Sequence, residues 1–315
     1  MSKQAFIFPG QGSQIIGMGK AVYDSFTEAK EVFQEVDDAL NQKLSEIIFN
    51  GEQETLTLTE NAQPALMVTS IAILRVLQKQ SGKQIDELCD FVAGHSLGEY
   101  TALCAAESLS LNQTAKLLKL RGKAMQEAVP KGVGGMAAVI GLSFEDVEKL
   151  CLQASEASGE PCELANDNSD GQVVISGSLK AIEKGEEIAK FMKAKRYLKL
   201  PVSAPFHSSM IKKAQDAMFE ALEEEQLNAP KIPLIANVTA KKTSESSEIK
   251  ELLVKQVTGR VRWRESVAYM ANELEVIKTV EIGAGKVLSS LVRRIAKEVE
   301  VINIETPEDI EKIMG

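Results

Sequence analysis

The sequence predicts an α/β protein in which a large domain with a parallel sheet carries a smaller inserted domain. Short apolar runs alternate with amphipathic helical patterns along most of the 315 residues, which is typical of a parallel sheet covered by helices on both faces. Between about residues 134 and 202 the order changes to βαββαβ, the ferredoxin-like pattern. We therefore expect the inserted domain at 132–204 and the discontinuous large domain at 1–131 and 205–315.

The first part of the large domain opens with a short apolar run and continues with amphipathic helices up to about residue 49. A polar, threonine-rich stretch then predicts a loop, and long apolar stripes at helical spacing predict two strong helices. The strands are expected at 5–8 and 91–93, the loop at 52–60, and the two helices at 63–80 and 112–128.

The inserted domain and the rest of the large domain follow the same reasoning. In the insert we expect strands at 136–140, 162–165, 172–176 and 196–202, helices at 143–158 and 178–194, and a polar turn at 166–171. After it we expect strands at 232–238, 277–282 and 301–304 and a polar loop at 241–248. We expect helices at 208–228, 249–257 and 262–274, and a last helix that follows the turn at 283–285 and ends at 297.

The composition excludes some classes of partner and cofactor. The formal net charge of −9 argues against nucleic acid or an anionic membrane as the main partner. No apolar stretch approaches the roughly 18 residues of a membrane span, and the first apolar run is too short for a signal peptide. Because the four cysteines lack C-x-x-C spacing and the chain has two histidines, no zinc pattern forms. We expect a cytoplasmic protein with buried, reduced thiols and no metal.

The run G-H-S-L-G at 94–98 is the most informative motif. It lies between an apolar strand and a helix-prone segment, so Ser96 is expected at the apex of a strand–turn–helix. The flanking glycines allow strand and helix to pass closely, and the helix N-terminus offers free N–H groups to an oxyanion. This arrangement favours a nucleophilic serine over an ordinary tight turn.

A serine nucleophile requires an adjacent base, and the chain offers two histidines. His95 adjoins Ser96 across a sharp turn and is expected to support that turn. His207 lies where the insert returns to the large domain, a junction that would line a cleft, and is our candidate base. No acidic residue between them makes a convincing third triad member, so a main-chain carbonyl or an amide is left to orient the base.

The oxyanion needs donors of its own. By position, the Leu97 N–H is one, and Gln11 in G-Q-G after the first strand could bring a second. The glycines around Gln11 match neither a dinucleotide fingerprint nor a P-loop, because the required third glycine and the G-K-[ST] sequence are missing.

Arg121 is unusual because it falls on the apolar stripe of the 112–128 helix, one turn before Met125. An unpaired buried guanidinium is costly, so an anionic partner is expected. That partner is either a bound substrate or a structural carboxylate, unless the side chain extends to the rim.

Five motifs are spaced along the chain: P-G-Q-G-S-Q at 9–14, G-H-S-L-G-E at 94–99, R-G-x-x-M at 121–125, N-x-x-G-Q-V-V-I-S-G at 168–177 and A-P-F-H-S at 204–208. Together they resemble the bacterial malonyl-CoA:acyl carrier protein transacylases. They occur in the family's order and span nearly the whole chain. The resemblance implies an α/β-hydrolase-like large domain with a ferredoxin-like insert.

The resemblance also implies roles for individual residues. Ser96 would carry the malonyl ester, His207 would be the base, Gln11 and the Leu97 N–H would form the oxyanion hole, and Arg121 would bind the malonate carboxylate. Gln256 best matches the glutamine whose main-chain carbonyl orients the histidine. The remaining substrate-contacting candidates are Met125, His95, Phe206 as a steric limit on the α-carbon, and either Asn166 or Asn168.

The implied substrates are malonyl-CoA and holo acyl carrier protein of fatty acid or polyketide synthesis, with no cofactor besides. The carrier is acidic, and the candidate basic contacts are Lys190, Lys193, Lys195, Arg196, Arg293 and Arg294. The alternatives are a serine esterase or thioesterase, against which the missing acid and Arg121 argue, and a non-enzymatic carrier-binding subunit.

Overall fold

The computed structural model describes residues 3–202 and 204–314. The first part of the chain contains two strands and eight helices. They are β1 (Lys3–Phe8), α1 (Lys20–Ser25), α2 (Thr27–Leu40), α3 (Leu44–Asn50), α4 (Gln53–Thr57), α5 (Thr59–Ser81), α6 (Ile85–Leu88), β2 (Phe91–Gly94), α7 (Leu97–Ala105) and α8 (Leu111–Glu127).

The middle of the chain forms a βαββαβ unit. Its elements are β3 (Gly134–Ile140), α9 (Phe144–Ser158), β4 (Cys162–Ser169), β5 (Gln172–Ser178), α10 (Leu179–Phe191) and β6 (Arg196–Lys199). The strands form an antiparallel sheet in the order β4-β5-β3-β6, which is the ferredoxin-like order. The domain boundaries predicted around this unit remain a prediction.

The last part of the chain returns to the larger sheet. After a 3₁₀ turn at Ser209–Ile211, the elements are α11 (Lys212–Glu224), β7 (Leu234–Ile235), β8 (Lys242–Thr243), α12 (Ser246–Thr258), α13 (Trp263–Asn272), β9 (Val276–Ile282), α14 (Val287–Ile295), β10 (Glu300–Ile304) and α15 (Pro307–Met314). No helix in the described residues is long and apolar enough to cross a membrane.

The larger sheet has the order β10-β9-β1-β2-β7-β8. All of these neighbours pair in parallel except β7 and β8. Along β1, Phe6 and Phe8 enter one apolar cluster while Ala5 and Ile7 enter another. Helices therefore cover both faces of this sheet, and the predicted α/β class with a second, antiparallel sheet is confirmed.

The smaller sheet also buries both faces. Ala137 and Val139 of β3 pack in a cluster with α9 and α10, whereas Met136 and Ala138 join the large core. The alternation along this one strand attaches the βαββαβ unit to the rest of the molecule. All four cysteines are free and buried, as the sequence predicts.

Two polar stretches were wrongly predicted to be loops. Residues 53–57 form α4 and α5 begins at Thr59, because Leu56 is fully buried and tertiary contact stabilises a short helix of weak pattern. Within 241–248, β8 forms the antiparallel edge of the larger sheet and α12 begins. The polar sequence of β8 suits an edge strand, which has only one neighbouring strand.

The polar turn predicted at 166–171 was also wrong, because β4 continues through Ser169. Asn166 and Asp167 pair with β5, and Asn166 also bridges to Val261, two residues before α13. The helix α15 was missed, since its buried stripe is reduced to Ile310. The extension of β4 matters most, because it brings polar side chains to the edge of the site described below.

We predict that Gly98→Ala destabilises the protein through the contact between α7 and β1. A Cβ atom at this position would lie 2.3 Å from the main-chain oxygen of Phe8, so the helix would have to move away from the sheet. Overpacking of this kind costs about 1–3 kcal/mol, which would be measured as a loss of unfolding free energy in denaturant.

The matched control is Gly185→Ala in α10, where the nearest atoms are side-chain ends 3.1 Å or more away. These atoms can adjust, and alanine favours a helix, so little stability should be lost. Equal unfolding free energies of the two variants would show that the close approach of α7 to β1 does not require a glycine at position 98.

Candidate active site

The turn between β2 and α7 holds Ser96 in a strained conformation. Its backbone has φ 53° and ψ −108°, a region that residues other than glycine rarely occupy. A Cβ atom on Gly94 would lie 1.9 Å from the carbonyl carbon of Gly98, so glycine is required before the turn as well as after it. The G-x-S-x-G spacing is thus a packing requirement of this strand–turn–helix.

His207 makes a direct hydrogen bond with Ser96, the Oγ and Nε2 atoms being 2.8 Å apart. On its other side, Nδ1 lies 2.9 Å from the main-chain oxygen of Gln256 and 3.0 Å from that of Gly259. Because carbonyl oxygens only accept, Nδ1 carries the proton and Nε2 is left to accept from the serine hydroxyl. This is the tautomer that a general base for Ser96 requires.

Burial keeps this imidazole neutral. His207 is 4% exposed, and its desolvation, followed by the positive charge of Arg121, lowers its pKa to about 3. Within the described residues, no carboxylate contacts the ring. The base is therefore oriented by main-chain dipoles, which stabilise an imidazolium less than a carboxylate does.

Arg121 reaches the nucleophile from α8. Its Nη2 donates to Ser96 Oγ at 3.0 Å and to Gln256 Oε1 at 2.8 Å, and Nη1 donates to Gln63 Oε1 at 2.8 Å. The guanidinium also lies against the ring of Tyr100, and burial lowers its pKa. The predicted position on an apolar stripe thus corresponds to a fully buried cation beside the serine hydroxyl.

Polar side chains outside the cavity hold the strained turn by hydrogen bonds to the main chain of Ser96. The Ser96 N–H donates to Asn237 Oδ1 at 2.8 Å, and Gln256 Nε2 donates to the Ser96 carbonyl at 2.9 Å. Glu99 Oε2 accepts from Gln256 Nε2 at 2.7 Å and from the Asn237 N–H at 3.1 Å. Burial raises the pKa of the Glu99 carboxyl to about 7. Both backbone sides of Ser96 are therefore held by side chains.

Ser96, His207 and Arg121 line a cavity of about 230 Å³, whereas Asn237, Gln256 and Glu99 lie outside its lining. Of the predicted site residues, it is lined by Gln11, His95, Ser96, Leu97, Arg121, Met125, Asn166, Phe206 and His207. The βαββαβ unit contributes Met136 and Asn166 to the opposite wall. The two asparagines differ, since Asn168 accepts from His95 Nε2 at 2.8 Å and thereby holds that ring.

The parallel sheet explains why distant residues meet here. Phe8 and Gly94 are in register on β1 and β2, and β7 pairs with the other side of β2. The loops that follow these three strands leave the same edge of the sheet and carry Gln11, Ser96 and Asn237. Such an edge is the usual place for a ligand in an open α/β sheet.

Gln63, Glu99 and Asn237 were not among the predicted site residues. Gln63 and Glu99 lie on helices with apolar residues on all sides, and a polar residue in that setting is the signal that could have drawn attention to them. Asn237 directly follows a strand but has no distinguishing local pattern. No group of three or more His, Cys, Asp or Glu side chains in the described part of the chain is arranged to hold a metal ion.

Comparison with known proteins finds matches to one family over nearly the whole chain. The acyl transferase domain family matches residues 5–307. The malonyl CoA-acyl carrier protein transacylase of Bacillus subtilis (strain 168) is 46% identical over 311 residues, which are 99% of this chain and 96% of the relative. The Escherichia coli (strain K12) protein of the same name is 40% identical over 307 residues, covering 98% and 97% of the two chains.

Solved structures agree with this match. The acyl-carrier-protein-S-malonyltransferase of Bartonella henselae superposes with a TM-score of 0.96 at 52% identity, covering 99% of this chain and 98% of that one. A malonyl-transacylase in complex with its type II PKS acyl-carrier protein superposes with a TM-score of 0.95 at 37% identity, covering 99% of each chain.

We predict that His207 stays neutral over the pH range in which an ordinary histidine titrates. Since its pKa is lowered to about 3, the Nδ1–H tautomer should persist as the pH falls through about 6.5. NMR of protein labelled at its two histidines would show this, with His207→Gln identifying the signal. A titration midpoint near 6.5 for this ring would contradict the burial argument.

Proposed function

The chain belongs to the acyl transferase domain family, and on that basis we propose that it transfers a malonyl group from malonyl-CoA to the pantetheine thiol of acyl carrier protein. The group would be carried in between as an ester on Ser96. The enzyme class and the substrates are supported by relatives that are named malonyl CoA-acyl carrier protein transacylases. A carrier partner is supported by the related transacylase solved with its acyl-carrier protein.

The observation that carries the choice of acyl group is the buried Arg121 beside the nucleophile. Its Nη2 lies 3.0 Å from Ser96 Oγ. In a malonyl thioester, a single methylene separates the carboxylate from the reacting carbonyl carbon. A substrate placed for attack by Ser96 therefore brings its anion next to the guanidinium, whose planar fork suits bidentate binding of a carboxylate.

In the first half-reaction, His207 Nε2 takes the hydroxyl proton of Ser96 as Oγ attacks the thioester carbonyl. The Leu97 N–H, at the start of α7, and the Gln11 side chain would stabilise the tetrahedral oxyanion. Collapse breaks the C–S bond, and the leaving CoA thiolate receives the proton from His207. The products are the malonyl-serine ester and free CoA, and the base is neutral again.

In the second half-reaction, the same base serves the carrier. His207 takes the proton of the pantetheine thiol, and the thiolate attacks the ester carbonyl. Collapse breaks the C–O bond, and Ser96 Oγ recovers its proton from His207. Malonyl carrier protein then dissociates and the free enzyme is regenerated. The mechanism is therefore ping-pong, and it needs only residues of this chain and the two substrates.

The remaining residues of the cavity would shape the acyl pocket. Met125 and Phe206 supply apolar walls, with Phe206 limiting substitution at the α-carbon, and His95 and Asn166 supply polar ones. Asn168 would act through His95.

Of the candidate carrier contacts, Lys190 is paired with Glu186 and Arg294 donates to Gln172, whereas Lys193, Lys195 and Arg196 are on the surface of the βαββαβ unit. We propose that the reaction takes place in the cytoplasm, because free thiols such as those of the four buried cysteines persist in that compartment.

The direct test is intact-protein mass measurement after mixing with malonyl-CoA, followed by addition of holo carrier protein. The expected result is a gain of one malonyl group that then moves to the carrier. Release of malonate to water without carrier acylation would instead indicate the esterase or thioesterase alternative. Absence of any adduct would indicate a carrier-binding subunit without activity.

We predict that Ser96→Ala abolishes the malonyl adduct, because no other hydroxyl contacts the base at His207 Nε2 among the described residues. Ser209→Ala, at an exposed serine two residues beyond His207, is the control and should still be acylated. Mass measurement of both proteins after incubation with malonyl-CoA reads this out. An adduct on Ser96→Ala would disprove the assignment of the nucleophile.

Removal of the guanidinium should change which acyl group is transferred. Arg121→Ala is expected to lower kcat/KM for malonyl-CoA on the order of 100-fold, because truncating one partner of a buried charge pair costs roughly 2–5 kcal/mol. Transfer from acetyl-CoA should be retained or increase, since a neutral acyl group has no charge to be met. Arg75→Ala, at an exposed arginine of α5, is the control. Equal losses with both thioesters would make Arg121 a purely structural residue.

A further inference from the structure

Arg121 is buried without a carboxylate in contact. It is 1% exposed, and its hydrogen bonds go to three neutral oxygens, on Ser96, Gln256 and Gln63. No ion pair within 4.0 Å involves Arg121 in residues 3–202 and 204–314. The buried carboxyl of Glu99 is connected to Arg121 through the amide of Gln256, which accepts from Arg121 and donates to Glu99. The guanidinium is thus held firmly while its charge is left without a direct counterion.

We propose that Gln63 is a specificity-determining residue: it positions Arg121 through a neutral amide oxygen and so keeps the guanidinium charge available to the carboxylate of the acyl group. This inference rests on the proposed malonyl transfer and extends it to a residue outside the nucleophile, the base and the oxyanion hole.

The orientation of the Gln63 amide is fixed by its neighbours. The side chain lies in the wall of the cavity on α5 and is 1% exposed. Its Oε1 accepts from Arg121 Nη1 at 2.8 Å, and its Nε2 lies 3.8 Å from Met125 Sδ, one turn further along α8. Because a guanidinium can only donate, the reversed amide would place two donors against each other. Gln63 therefore acts as an acceptor toward Arg121.

The chemistry of position 63 sets what Arg121 can do. A carboxylate there would form a buried ion pair with Nη1, which an incoming substrate would have to compete with. An apolar side chain would leave Nη1 without a partner in a dry site, which costs free energy and frees the side chain to move. The amide satisfies the donor without neutralising the charge, so it meets both requirements.

Gln63→Glu tests the charge, because glutamate has nearly the same shape. We expect the ratio of kcat/KM for malonyl-CoA to that for acetyl-CoA to fall by about tenfold or more, in view of the coupling energies of close buried charges. Gln80→Glu adds the same charge at the exposed end of the same helix and should leave the ratio unchanged. An unchanged ratio in Gln63→Glu would overturn the proposal.

Gln63→Leu separates charge from position. It removes the acceptor but adds no negative charge, so its ratio should lie between those of the native protein and Gln63→Glu. If both variants lower the ratio equally, Gln63 only packs against Arg121, and the proposal is wrong. Thermal unfolding of each variant confirms that folded proteins are compared. Failure of the proposed function is distinguishable, because the native protein itself would then not pass a malonyl group to the carrier.

Discussion

The strained turn at Ser96 is the constraint on which the rest of the site depends. A residue held at φ 53° and ψ −108° costs on the order of 1–3 kcal/mol, and it persists only where its surroundings determine it. Here the N–H and the carbonyl of Ser96 are held by Asn237 and Gln256, and the adjacent glycines let strand and helix approach. His207 also has a positive φ, 57°, which residues other than glycine rarely adopt.

Gln256 connects the polar side chains at the centre of the site. Its main-chain oxygen orients His207, while its side chain donates to the Ser96 carbonyl and to Glu99 and accepts from Arg121. His207, Ser96 and Arg121 therefore all contact one residue on α12. Effects of substitutions within this group will not be additive, since each removes contacts on which the others depend.

Local pattern was enough to predict the parts of the site that local geometry creates. The G-x-S-x-G turn, the histidine after the insert and the arginine on an apolar stripe each carry a chemical requirement within a few residues of sequence. Gln63 and Asn237 differ, because their partners, Arg121 and Ser96, are 58 and 141 residues away. The same limit explains β8, whose polar sequence becomes a strand only beside β7.

Arg121 and Glu99 show how a cation can be buried in a site without a direct counterion. Arg121 and Glu99 are both nearly inaccessible and are joined through the single amide of Gln256. A direct ion pair would satisfy both groups and leave the guanidinium with little to offer a substrate. With the Gln256 amide between them, Arg121 donates only to neutral oxygens, and burial raises the pKa of the Glu99 carboxyl to about 7. In the role proposed for Arg121, the desolvation of its guanidinium would be compensated more fully with an anionic acyl group bound than in the free enzyme, and this difference would favour that group.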